Sequence, residues 1–72
     1  MEKANKIELL AEILDVETDE IQEDMNLVDV GDWDSVAILS FIVMMGEEFN
    51  KEVTGEEVRK LVTVSDALAM ME

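Results

Sequence analysis

Apolar positions recur at helical spacing in several stretches of the chain. Ile7, Leu10, Ala11 and Leu14 fall at i, i+3, i+4 and i+7, one face of a helix. Leu9 and Ile13 widen that stripe toward a second neighbour. The spacing predicts a first helix from about Ala4 to Leu14. The most apolar run reads VAILSFIVMM, from Val36 to Met45. Within it and just beyond, Ile38, Phe41, Ile42, Met45 and Phe49 share one face, predicting a second helix from Ser35 to about Phe49 with that face on the core. Val36, Ser40, Val43 and Glu47 lie roughly opposite, an unusually apolar set for a surface. Thr54 and Glu57 have the Thr-x-x-Glu spacing of a capping box and open a short third helix, with Val58, Leu61 and Val62 inward. Thr63 and Asp66 repeat the spacing before Val64, Ala67, Leu68 and Met71, the stripe of a last helix. No segment alternates with period two for long enough to make a strand. The expected fold is all-α: a small four-helix bundle with three longer helices, one short third helix and a long loop between helices one and two.

That loop, residues 15 to 34, lacks sustained periodicity. Loops of this length are uncommon in a compact domain unless they are functional or pinned. Ile21, Met25, Leu27 and Val30 are the expected pins. Asp19 to Gln22 suit one short turn, and Gly31 suits a turn before the second helix. Asp34 is the expected N-cap of that helix, its carboxylate accepting from the free amides of the first turn. Ser35 then starts the helix with its hydroxyl outward.

Composition narrows the function. Nineteen acidic residues against five basic ones give a net charge of -14. Nucleic acid and anionic membrane surfaces, themselves polyanions, are disfavoured as partners, and basic protein surfaces are favoured. At 49% hydrophobic the chain is nevertheless rich enough in apolar residues to fold, and 72 residues are expected to make one domain, 1–72. The apolar run at 36–45 is about half of the roughly 20 residues that a membrane-spanning helix needs, so no membrane insertion is expected. No charged segment precedes an apolar one at the N-terminus, so no signal peptide is expected. The expected location is the cytoplasm, and the charge favours a monomer.

The chain has no cysteine and no histidine. It has no thiol nucleophile or thiolate metal site, and Ser35 has no imidazole base to activate it. Catalysis by the chain itself is not expected. Asp29, Asp32 and Asp34 invite comparison with a calcium loop, which needs oxygen ligands at positions 1, 3 and 5, glycine at 6 and glutamate at 12. Counting from Asp29 puts Gly31 at position 3 and Ser40 at 12. Counting from Asp24 puts Asp29 at 6 and Ser35 at 12. Neither register works, and no metal site is expected. Trp33, the only tryptophan, reads chiefly as a cover for the bundle. The six methionines read as core filler, except Met44, which flanks the outward face of helix two and could adapt to a partner.

Taken together, these residues resemble a known family. Asp34-Ser35 followed by an aliphatic residue, an apolar helix ending in Glu47-Glu48-Phe49, a short capped third helix, and Thr63-Val64-Ser65-Asp66-Ala67 opening the last helix are similar to the discrete acyl carrier proteins of the phosphopantetheine-binding family. The resemblance spans nearly the whole chain. It implies that Ser35 carries 4'-phosphopantetheine, transferred from coenzyme A by a separate holo-carrier-protein synthase, a phosphopantetheinyl transferase, using magnesium. The arm's terminal thiol would carry acyl groups as thioesters, for fatty acid or related acyl-chain biosynthesis. Helix two would be the face that acyl-loading and acyl-transfer enzymes read, through basic or apolar docking surfaces. On this chain the recognition residues are expected to be Asp32, Asp34, Val36, Ser40, Val43, Met44 and Glu47.

The chain departs from the family pattern in three ways. Gly31 lies four residues before the serine, not three. Val36 stands where leucine is common. Ala37, Ser40 and Gly46 occupy positions that are often acidic in fatty-acid carriers. The last departure raises a second reading, a carrier for a specialised pathway such as polyketide, nonribosomal peptide or aminoacyl transfer. A reading of another class is an acidic helical protein-interaction module without a prosthetic group, since packing alone explains every helix signal.

Overall fold

The first helix, α1 (Lys3–Leu14), ends where Asp15 turns into the left-handed region at φ 56°. Its N–H returns to the Ala11 and Glu12 carbonyls, and Val16 N–H also bonds Ala11 O, at 3.0 Å. This is a Schellman-type stop. The structure, a computed structural model, describes residues 2–72. Within them α1 is followed by a single 3-10 turn at Thr18–Glu20 and a one-turn helix, α2 (Leu27–Val30). Then come the long helix α3 (Ser35–Phe49), the short α4 (Gly55–Arg59) and α5 (Val64–Met70).

All elements are helical among the described residues, as the periodicity predicts. The boundaries of α1 and α3 follow from their apolar stripes and caps. Two lengths differ from expectation: α5 has seven residues, and α2 is an extra turn inside the long loop. Four residues make too short a stretch for a 3.6-residue period to show.

One core lies between the helices. Leu10, Leu27, Phe41, Met45, Val58, Val64 and Met71 are its fully buried large side chains. The expected stripes of α1, α3 and α5 all contribute. In the loop, Ile21 and Leu27 are buried, and Met25 and Val30 pack partly buried against the core, as expected of pins. Val62, expected inward, is 58% exposed. Helix α4 stops at Arg59, so Val62 follows no helical face. It lies in the connection, where its carbonyl accepts from Leu27 N–H at 2.8 Å.

Backbone hydrogen bonds stitch the loop to the start of α5. Val64 N–H donates to Met25 O at 2.9 Å, and Ser65 N–H to Glu23 O at 3.0 Å. With the Leu27–Val62 bond they frame an isolated antiparallel bridge between Asn26 and Thr63. The loop that leads to Ser35 is thereby anchored from Glu23 up to the first residue of α2.

Gly31 is extended, at φ -166° and ψ -164°, a conformation open to any residue. Its need for glycine is one of space. A Cβ there would lie 2.8 Å from Leu14 O and 3.2 Å from Leu14 Cβ. The chain passes tightly against the end of α1 before turning into α3. The turn expected at Gly31 is thus a close approach instead.

Candidate functional site

The site is the junction where the pinned loop becomes α3. Asp34 is extended at φ -108°, and its Oδ1 accepts from Ala37 N–H at 3.0 Å. Its carbonyl accepts from Ile38 N–H at 2.9 Å. Asp34 is therefore the N-cap, as expected, and its carboxylate serves an amide that the helix leaves unpaired. Ser35 is the first residue of α3 and is exposed. The amides of Ser35 and Val36 stand at the positive end of the α3 dipole, where an anion is favoured.

Trp33 precedes the cap. It packs edge-on to Phe41, with ring centroids 5.9 Å apart and planes at 80°, a favoured aromatic geometry. This holds the loop onto the core directly before the serine and accords with a covering role. Its Nε1 is buried without a hydrogen-bond partner among the described residues.

Of the expected recognition residues, Asp32, Asp34, Val36, Ser40, Val43 and Glu47 are all exposed. Val36 is 71% and Val43 49% exposed. Met44 is a correction: it is 8% exposed and belongs to the core, because α1 packs against that side of α3. Ala37 is also buried, so an acidic side chain there would be a core defect. The loss of expected acidity on α3 therefore comes down to Ser40 and Gly46, both exposed. Sequence reasoning missed Leu39, which is 62% exposed. It sits one turn after Ser35 and one turn before Val43, a spacing that could have signalled it.

Between α1 and α3 runs a trough of about 400 Å³. Leu9 and Ile13 line it from α1, and Leu39, Val43 and Met44 from α3. Ser40 and Glu47 also reach it. Asp32, Asp34 and Val36 do not line it, so the expected recognition residues divide between the loop end of α3 and this trough.

Over residues 7–71 the chain matches the model of the family described as the phosphopantetheine attachment site. The chain belongs to this family. It is similar to the acyl carrier protein of Lactobacillus acidophilus, 36% identical over 66 residues, which cover 90% of this chain and 82% of the relative. It is similar also to the acyl carrier proteins of Wolinella succinogenes and Bdellovibrio bacteriovorus. Each is 31% identical over 65 residues, covering 90% of this chain and 86% and 83% of those relatives. Family membership implies a covalently attached 4'-phosphopantetheine. The junction at α3 fits such a group: one exposed hydroxyl at a helix start, with the neighbouring carboxylate committed to a cap. When bound, the group supplies a thiol, which a chain without cysteine lacks. Among the described residues no helix is long and apolar enough to cross a membrane, and no three acidic side chains are placed to hold a metal ion.

Proposed function

We propose that this chain is an acyl carrier whose 4'-phosphopantetheine is attached to Ser35 Oγ and whose acyl groups travel as thioesters. The observation that carries the reading is the division of labour at the start of α3. Asp34 caps the helix through Ala37 N–H, which leaves the exposed Ser35 hydroxyl free of that task. The loop before it is held by Trp33 on Phe41 and by the backbone bonds to residues 62–65, so the hydroxyl is offered from an ordered frame. The chain has no histidine to take the hydroxyl proton. A base on the transferase removes it as the oxygen–phosphorus bond forms and the nucleotide portion of coenzyme A leaves. The chain acts as a carrier and not as a catalyst, in the cytoplasm and as a monomer. Partner enzymes read the exposed side of α3: Val36, Ser40 and Val43 by contact, with Asp32, Asp34 and Glu47 giving electrostatic register.

Fatty acid biosynthesis is one setting for such a carrier. A specialised pathway is the second reading, favoured by the neutral residues Ser40 and Gly46 on the exposed side of α3. An interaction module without a prosthetic group is what remains if loading fails. Incubation with coenzyme A, magnesium and a permissive phosphopantetheinyl transferase, followed by intact mass measurement, separates a carrier of either kind from such a module. The expected outcome is gain of one phosphopantetheine by the wild type and none by Ser35→Ala. No gain across several transferases would leave the plain module as the better account.

A further inference from the structure

The few basic residues are largely unspent. Lys3 pairs with Glu23, and among the described residues no other lysine or arginine makes an ion pair, in a chain with 19 acids. Arg59 closes α4 and is exposed. A cation there complements the negative end of the helix dipole, but this does not account for where the side chain lies. Glu56 stands one turn back, at the spacing of a helix ion pair, and that pair is not made among the described residues. The guanidinium lies back over the start of α4 instead, toward α3. The point where a Cβ on Gly55 would stand is 3.8 Å from Arg59 Nη1 and 3.9 Å from Ile42 Cδ1.

Ile42 and Ser35 are seven residues apart on α3, so they share a face and lie about 10 Å apart along its axis. From Ser35 to Gly46 the helix carries no charged residue. One turn beyond Ile42, a Cβ on Gly46 would meet nothing within 4 Å. An uncharged flank therefore runs from Ser35 to an unpaired guanidinium, on a molecule of net charge -14. We infer that Arg59 is a specificity residue for the cargo: its guanidinium receives the free carboxylate of a dicarboxylic acyl group held as a thioester on the Ser35 arm. A guanidinium stays charged and matches a carboxylate with two parallel bonds, whereas a neutral acyl chain offers it no anion. The acids elsewhere on the surface repel such a cargo, which leaves the cation beside the uncharged flank as its place to settle. The reach is suitable. A flexible chain as long as the arm, equivalent to roughly five residues, has a relaxed end-to-end distance of about 12 Å. A tether gives its highest effective concentration when that distance matches the span. Arg59 meets the cargo only if Ser35 carries the arm, so this role rests on the attachment proposed above.

The protein is loaded by a permissive phosphopantetheinyl transferase from glutaryl-coenzyme A and, as the neutral control, from pentanoyl-coenzyme A. Intact mass confirms each thioester, and nuclear magnetic resonance then reads the loaded chains. In the glutaryl form the Arg59 Nε–H signal is expected to move and its exchange with water to slow by about two- to fivefold, the range of an exposed ion pair. The cargo methylenes should show contacts to the Ile42 methyl. The pentanoyl form should show none of these effects. Arg59→Gln, at an exposed position, should load to the expected mass and lose the cargo contacts, and Arg59→Lys should keep them in part. Lys60→Gln makes the same charge change one residue away and should keep them in full. Equal loss in Arg59→Gln and Lys60→Gln would reduce the effect to net charge and overturn the inference, as would equal contacts from the pentanoyl form. Mass gained with no response at Arg59 overturns the inference alone. If neither form gains mass, attachment at Ser35 fails and the inference falls with it.

Discussion

Gly31 and Ser35 stand four residues apart and are constrained for opposite reasons. Ser35 is exposed and free; Gly31 is wedged against the end of α1. A Gly31→Ala change stabilises through the unfolded chain by about 0.4–1 kcal/mol where the native backbone tolerates it. Here the added methyl meets backbone oxygen at 2.8 Å, and overpacking costs typically about 1–3 kcal/mol. The second effect outweighs the first, so Gly31→Ala should lower stability by about 1–2 kcal/mol in urea unfolding. An unchanged midpoint would mean that the loop simply moves away. The position of glycine was legible in the sequence, but its reason was not. A turn and a close approach both call for glycine, and only the position of Leu14 tells them apart. Met44 and Ala37 teach the same lesson: on a helix so apolar all round, the wheel does not say how far the neighbouring helix reaches.

At the scale of elements, α3 and α5 show how much local sequence decides. The Asp34 cap and the Thr63–Asp66 box form as their spacing predicts. At Thr54 only half of the expected box forms among the described residues: the hydroxyl accepts from Glu57 N–H at 3.1 Å, and no bond runs from Thr54 N–H back to the Glu57 carboxylate. In the Thr63–Asp66 box, Asp66 Oδ2 accepts from Thr63 N–H at 3.1 Å and from Val62 N–H at 3.2 Å, and Asp66 N–H donates to Thr63 Oγ1. The backbone bonds from Thr63 and then Val62 hold the Asp66 carboxyl below its ordinary value of 3.8. Its folded-state pKa is depressed, so its contribution is fully present above the unfolded value and is lost as pH falls from about 4 through the folded value. Protonation of the other surface acids relieves repulsion and acts in the opposite sense. The difference between wild type and Asp66→Asn isolates the cap: it should be constant near neutral pH and shrink below about pH 4. Thr63→Ala should cost about 0.5–2 kcal/mol, read by thermal or urea unfolding. On α3 the exposed stripe can be tested by function. Val43→Asp should leave the circular dichroism unchanged, since the side chain is half exposed, yet reduce acyl loading by partner enzymes about tenfold. Undiminished loading would remove Val43 from the recognition surface.

For the molecule as a whole, the charge is nearly uncompensated. Lys3 and Glu23 make the one ion pair among the described residues, at 2.9 Å, with both side chains more than half exposed. A pair so exposed contributes about 0–1 kcal/mol, too little to offset repulsion among 19 acids. Screening should therefore stabilise the fold. Raising salt from low to physiological concentration, or adding magnesium, is expected to raise Tm through diffuse screening. Among the described residues no acidic cluster is built to hold the ion. A Tm insensitive to salt would show that the acids are already compensated.

The amino-acid sequence by itself determined whatever depends on neighbours within about one or two helical turns. It set the helical class, the start and end of α3, the caps at Asp34, Thr54 and Thr63, and the identity of the apolar stripes. It also set the family to which the chain belongs, through the order and spacing of those same features. Tertiary structure decided what depends on contacts between distant segments. The bonds from residues 23–27 to residues 62–65 fold a long loop into an anchored approach to Ser35, and no local pattern announces a backbone bond across that separation. The packing of α1 on α3 buries Met44, leaves Leu39 exposed and opens the trough beside it. A side chain's apolar character is written in the sequence. Whether it ends in the core or on a binding face is settled by which surface arrives to cover it.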